Sequence, residues 1–248
     1  VVLSLEEKEG QKDREGKTAA LKKEFAKIFP HFFIITHKLL AGEVAGKASN
    51  ERFAALWFKK EVIRKQKLDQ RYFVVPSCDA DHTFHPKHFS ALTFKFLDDP
   101  QRYEKFWQPA MLFYSNIWRL PAITRVPNIL FSVYNLSQLP RKDRLINVQN
   151  YSLSFNLLDK VGYWYADIIP EDYHIFFKSF YKTQGKVEVE AIYLPIYGDA
   201  PESTNLWRTL VNQYRQIQRW AWGVSDDPYV IKNYFTVQGI SFLNKTMR

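Results

Sequence analysis

Three short apolar runs punctuate the first third of the chain: Val1-Val2-Leu3-Ser4-Leu5, Phe32-Phe33-Ile34-Ile35-Thr36 and Tyr72-Phe73-Val74-Val75. Each is of strand length, and the segment between each pair is long enough for a helix. Strand, helix, strand, helix, strand forces crossovers, and right-handed crossovers build a parallel sheet with helices on its faces. In the first crossover, Ala20, Leu21, Phe25, Ile28 and Phe29 recur at helical spacing between lysines, and Pro30 closes the run. In the second, Gly42 and Gly46 mark a loop ahead of a helix over about residues 48–65. The third strand ends at Pro76-Ser77-Cys78-Asp79.

Later elements are harder to type. Residues 101–139 are dense in aromatics, among them Phe106, Trp107, Phe113, Trp118 and Phe131, and predict one large apolar helix, packed on the sheet or lying against a bilayer. Val187-Glu188-Val189-Glu190-Ala191 alternates like a half-buried strand. Residues 201–222 predict a helix with Leu206, Leu210, Tyr214 and Ile217 along one side. Nothing marks a linker or an internal repeat, so one catalytic-size domain is the economical expectation for these 248 residues.

Composition narrows the classes of function. A single cysteine, Cys78, excludes an internal disulfide framework and suits a reducing compartment. With 35 basic and 26 acidic residues the net charge is +9, which attracts phosphate as nucleotide, nucleic acid or lipid headgroup. No stretch has the 18 to 20 or so consecutive apolar residues of a membrane span. The sequence opens as if partway through a domain, and the chain is expected to be a piece of a longer protein.

Four constellations could carry chemistry. Asp79-Ala80-Asp81 follows the third strand, at the end of a sheet where ligands bind, and two carboxylates so spaced can share a divalent cation. The plainer alternative is a helix cap with a solvated neighbour. His82, His85 and His88 follow at three-residue spacing, but Pro86 interrupts them and no second ligand cluster supports zinc. Pro170-Glu171-Asp172 precedes a helix-like run through Phe180, where an acidic pair either complements the helix dipole or supplies a general base. On a helix Gln216, Arg219 and Trp220 share a face, which suits a diphosphate or sugar as well as an ordinary amphipathic surface.

In order, Asp79-x-Asp81, Glu171-Asp172 and Gln216-x-x-Arg219-Trp220 resemble the D-x-D, E-D and Q-x-x-R-W series of family 2 glycosyltransferases, in the membrane-embedded branch of cellulose-synthase-like and hyaluronan-synthase-like enzymes. Ala45-Gly46-Lys47-Ala48-Ser49-Asn50 is similar to the Gly-Lys nucleotide loop that precedes D-x-D there, and Glu6-Glu7 stands where an acidic pair follows the second strand. Two differences are that Pro170 stands where Thr often precedes the acidic pair, and that Glu stands at the first acidic site in place of Asp.

The resemblance implies a GT-A fold: an α/β, Rossmann-like mixed sheet, mainly parallel, flanked by helices. It implies a catalytic domain over residues 1–223, with a nucleotide half (about 1–100) and an acceptor half (about 101–223), before a C-terminal, membrane-proximal segment at 224–248. By the same resemblance Glu6, Glu7, Lys47, Asn50 and Asp79 contact the nucleotide, and Asp81 with Asp79 holds Mg²⁺ or Mn²⁺. Asp172, beside Glu171, is the base, and Gln216, Arg219 and Trp220 line the acceptor channel or steady the diphosphate. The implied reaction is inverting transfer from a nucleotide-diphosphate sugar, UDP-linked, to a glycan or lipid hydroxyl in polysaccharide biosynthesis. The enzyme is then membrane-associated with its catalytic domain in the cytoplasm. Rival expectations are a non-catalytic membrane or assembly partner on the same fold, a phosphate-releasing hydrolase, and a basic nucleic-acid-binding module. The last lacks any RNA or DNA fingerprint, and the early lysines are interleaved with glutamates.

Overall fold

A computed structural model describes residues 1–248, which divide into two compact units: Val1–Gln70 with Gly162–Glu171, and Arg71–Val161 with Asp172–Arg248.

In the first unit β1 (Val2–Glu6) and β2 (Phe33–His37) pair in parallel, with Val2 opposite Phe33 and Glu6 opposite His37. The expected crossover helix forms earlier than its apolar spacing suggests: α1 spans Gln11–Phe25 and buries no residue. Gly10 at φ +82° starts it, and its Glu, Lys and Gln residues are good helix formers without any packed face. Ile28 and Phe29 fall beyond its end, where the rings of Phe25, Phe29 and Phe32 cluster with centroids 6.3–6.4 Å apart. The second helix, α2 (Lys47–Phe58), packs on β1 and continues into a wider turn over Lys59–Arg64, close to its expected bounds. Ser49 ties its first turn down by donating from Oγ to the carbonyls of Val44 (2.8 Å) and Gly46 (3.1 Å).

In the second unit β3 (Val74–Ser77), β4 (Thr83–Phe84), β5 (Lys105–Leu112), β6 (Tyr151–Ser154) and β7 (Glu188–Tyr197) form one sheet in the order β3-β6-β5-β7-β4. Only β5 and β7 are parallel; the other three pairings are antiparallel. The protein is thus mixed α/β, and the expectation of a mainly parallel sheet is corrected. The sequence pattern shows which segments are strands, whereas the partner of each strand is set by distant segments. Here β3 takes β6 as its neighbour, and β6 runs against both β3 and β5.

The expected long helix over residues 101–139 is also corrected. It divides into β5 and α4 (Ala122–Gln138), after α3 (His88–Asp98). β5 is the central strand and is buried on both faces, Lys105 and Gln108 included, so its sequence has no polar–apolar alternation to betray it. Its register shifts between Pro109 and Ala110, where proline has no N–H to give to the ladder. Trp107 on β5 meets Leu92 and Phe96 of α3 and Ile192 of β7 in one cluster. The remaining helices are α5 (Phe155–Val161), α6 (Glu171–Lys182), α7 (Leu206–Ala221), α8 (Asp227–Thr236) and α9 (Phe242–Met247). No helix is long and apolar enough to cross a membrane.

One buried histidine makes stability depend on pH. His88 is fully buried against Phe84, ring centroids 4.8 Å apart, and neither ring nitrogen has a hydrogen-bond partner. Burial, helped by nearby His85, pushes its pKa down from 6.5 to about 4. An unfolded chain binds the proton from about pH 6.5 downward, while the folded chain refuses it until about pH 4. Stability is therefore full above pH 6.5 and falls across that window, by about 3 kcal/mol at 1.36 kcal/mol per pH unit. Urea midpoints measured from pH 7.5 to 4 should show this slope in the parent and a reduced slope in His88→Phe.

Candidate functional site

β3, β5 and β7 run in the same direction, so their carboxyl ends share one rim of the sheet. β3 and β4 lie at opposite edges, yet few residues join them. The segment Cys78–His82 must therefore cross that rim, and it carries the two aspartates. Its turn is closed by His82 N donating to the Asp79 carbonyl at 3.4 Å. The backbone N–H of Asp79 donates to Asn150 Oδ1 at 2.7 Å, from a fully buried asparagine next to β6.

Ligand atoms from Asp79, Asp81 and His82 lie within 4.8 Å of one another. His82 Nδ1 is 2.8 Å from Asp81 Oδ1, and His82 Nε2 is buried without a hydrogen-bond partner. The imidazole is pressed against Gly198, where a Cβ would stand 2.4 Å from Nε2. Gly198 is fixed in turn between Leu112 and Ser115: its N donates to the Leu112 carbonyl at 2.9 Å and its carbonyl accepts from Ser115 N at 3.3 Å. Two carboxylates and an imidazole form a mixed oxygen and nitrogen donor set that could hold a metal ion, without selecting which. Sequence reasoning weighed His82 as one of three histidines at regular spacing. Its signal was the carboxylate beside it. The other two diverge, His85 Nδ1 accepting from Lys87 N at 3.1 Å and His88 entering the core.

Asp81 also lines an open cleft of ≈ 620 Å³ with Arg215, Gln216 and Arg219 of α7. The opposite wall is the segment Asp199–Glu202. Asn116 clamps that segment in both directions: its Nδ2 donates to the Ala200 carbonyl (2.7 Å) and its Oδ1 accepts from Ala200 N (2.9 Å). Arg215, Asp199 and Glu202 were not picked out from the sequence, since nothing in their spacing separates them from an ordinary charged surface.

α7 starts at Asn205, whose side chain accepts from Arg208 N at 2.9 Å. It carries Gln216 and Arg219 into the cleft but turns Trp220 away from it. The Trp220 indole packs on Phe131 at 4.3 Å and on Phe113 at 5.9 Å, so it braces the helix and does not line the cleft.

Asp172 is not among the cleft-lining residues. It stands in the first turn of α6, accepting from Gln149 N (2.7 Å) through Oδ2 and from its own neighbour Tyr173 N (2.9 Å) through Oδ1. Its carbonyl accepts from Asn147 Nδ2 at 2.8 Å. One loop, residues 147–150, thus holds Asp172 at one end and Asp79 at the other. Burial first, then the Asp172 carboxylate and Tyr134, push the Tyr173 phenol well up, so its hydroxyl keeps its proton. His174 Nδ1 meets Asp226 Oδ1 at 2.7 Å, both buried, and anchors the same turn of α6 to the segment after α7.

The remaining expected residues lie in the first unit. Glu6 Oε1 accepts from Asn50 Nδ2 at 2.9 Å, and Asn50 Oδ1 meets His37 Nδ1 at 2.9 Å. His37 Nε2 continues the chain to Glu43 at 3.1 Å. Lys47 pairs with Glu171 at 3.2 Å. Glu7 sits in the exposed turn that follows β1. Glu6 and Asn50 are thereby joined, and so are Lys47 and Glu171. His37 and Glu43 extend the first group without any signal in the sequence.

Compared with known proteins, the sequence matches no protein-family model and no curated protein.

Proposed function

We propose that the chain is an inverting glycosyltransferase with a GT-A-type catalytic domain, which moves a sugar from a nucleotide-diphosphate sugar to the hydroxyl of a glycan or lipid acceptor at a membrane. The observation that carries this reading is the cleft on which Asp81 meets Gln216 and Arg219, beside the Asp79–Asp81–His82 cluster. It is what a diphosphate leaving group needs: a cation site and a guanidinium within one concavity. The order of the three motifs in the sequence adds to it.

A divalent cation held by Asp79, Asp81 and His82 would act as a Lewis acid on the diphosphate oxygens. Arg219 and Arg215 add fixed positive charge where the leaving group gains negative charge. By the resemblance alone, since Asp172 is not among the residues that line the cleft, Asp172 takes the proton of the attacking hydroxyl, and the acceptor oxygen displaces the nucleoside diphosphate from the opposite face of the anomeric carbon. One C–O bond forms as another breaks, and the configuration inverts. By the resemblance Glu6, Lys47 and Asn50 take the nucleoside. Glu7 and Glu171 are weaker members of the set, the one exposed and the other paired with Lys47. The cytoplasmic location is in keeping with the single Cys78.

The test is a screen of labelled nucleotide sugars against the chain with and without Mn²⁺. Metal-dependent transfer to an acceptor is the expected result. Release of free sugar to water alone would instead make the protein a hydrolase, and no nucleotide binding to either unit would end the proposal.

A further inference from the structure

α4 is amphipathic the wrong way round. The residues it buries are Thr124, Asn128, Ser132 and Asn135, all polar. Its opposite face is apolar and open to solvent: Ile123, Val126, Leu130 and Val133 are each more than half exposed. Two of these side chains tie α4 to its neighbours, although Asn128 Oδ1 and Asn135 Nδ2 find no partner. Asn128 Nδ2 donates to Gln213 Oε1 of α7 at 2.7 Å, and Ser132 Oγ accepts from Phe113 N at 3.0 Å. The polar side therefore belongs inside, held by hydrogen bonds to α7 and to the end of β5. A slip of the helix about its axis does not explain the arrangement. A surface helix that faces only water carries its apolar stripe inward, so the outer face of α4 is shaped for a second apolar phase.

The charges say which phase. Between Glu104 and Asp143 there is no acidic residue, while Arg119 and Arg125 flank the start of α4 and Arg141 and Lys142 its end. The Arg125 guanidinium lies 5.5 Å from the ring centroid of Trp118, and Trp118 itself is 81% exposed just before the helix. An apolar stripe bounded at both ends by cations, with an outward indole at one end, is the pattern of a helix lying in a bilayer interface. In that position the indole would sit at headgroup level and Arg125 and Lys142 would face anionic phosphates, while Arg119 and Arg141 already pair with Glu202 and Asp143.

We propose that the outer face of α4, with Trp118, docks the protein onto an anionic lipid bilayer, the helix lying in the plane of the headgroups. This surface names the contact for the membrane that the sugar-transfer reading assumes, but it is argued from α4 alone and its vesicle test can succeed or fail whether or not sugar is transferred. It needs no membrane-spanning segment.

The test is co-sedimentation of the chain with phosphatidylcholine vesicles and with vesicles containing phosphatidylglycerol as well. The parent should bind the anionic vesicles more strongly, with the difference shrinking as salt rises. The double variant Val126→Ser/Leu130→Ser changes only exposed side chains, so its fold and nucleotide binding should persist while its partition falls by about tenfold or more. Circular dichroism checks the fold. Equal partition of parent and double variant would overturn the proposal, as would equal binding to the two vesicle types. So would self-association through this face without vesicle binding, which would make the occupant a second copy of the chain.

Discussion

Asp172→Asn should lower sugar transfer by about 10² to 10⁴-fold, the usual contribution of a positioned general base, while nucleotide binding persists. The amide keeps the size and one acceptor oxygen of the carboxylate but no longer takes a proton. Steady-state transfer from a labelled donor, alongside nucleotide titration by calorimetry, separates the two effects. The local structure demands a further control. Asp172 accepts from both Gln149 N and Tyr173 N, and an amide satisfies only one of these while turning an N–H toward the other. A stability loss of about 1–3 kcal/mol is therefore expected from an unsatisfied donor. If transfer falls only as far as the folded fraction does, Asp172 is a helix-start ligand of the 147–150 loop and not the base. Near-full transfer would equally reject the assignment.

Asp81→Ala should have an effect of similar or greater size, but on a different quantity. Removing one carboxylate of the Asp79–Asp81–His82 set takes away a cation ligand and also the group 2.8 Å from His82 Nδ1. Metal catalysis of this kind supplies several kcal/mol of charge stabilisation, so transfer should fall by about 10³-fold. Nucleotide affinity should lose its dependence on Mn²⁺. Calorimetry with and without Mn²⁺ reads that loss directly. The side chain of Asp81 is 60% exposed, so the substitution should leave folding stability nearly unchanged. The same Mn²⁺ dependence in parent and variant would remove the cation from this site.

How much of this was legible in the sequence depends on the range of the interaction involved. β1, β2, α2 and α7 follow from local pattern, and each lies within a few residues of its expected place. β5 was hidden because a strand buried on both faces has no alternation, so an apolar run rich in aromatics reads as a helix. α1 was displaced because its core-like residues do not pack: the helix is held by propensity and by the turn at Gly10. The antiparallel pairings were out of reach, since strand direction is settled by partners far along the chain.

The site divides in the same way. Asp79, Asp81, Gln216 and Arg219 were found by motif spacing and line or adjoin one cleft. Trp220 shares a helix with Gln216 and Arg219, but Phe131 and Phe113 decide where its ring goes. The sequence of residues 101–139 shows only a stretch dense in aromatics, with no sign of the inverted polarity of α4. Only burial reveals that its polar side is the inner one.

Gly198 carries a consequence of its own. Its Cα hydrogen occupies the place where any other amino acid would put a carbon, and that carbon would collide with an imidazole. A single methyl group at position 198 would thus evict His82 from beside Asp81 without altering one proposed ligand. If the cluster holds a cation as proposed, its affinity would then be extinguished from a position that carries no chemistry, and a search confined to charged or coordinating residues would overlook the lesion.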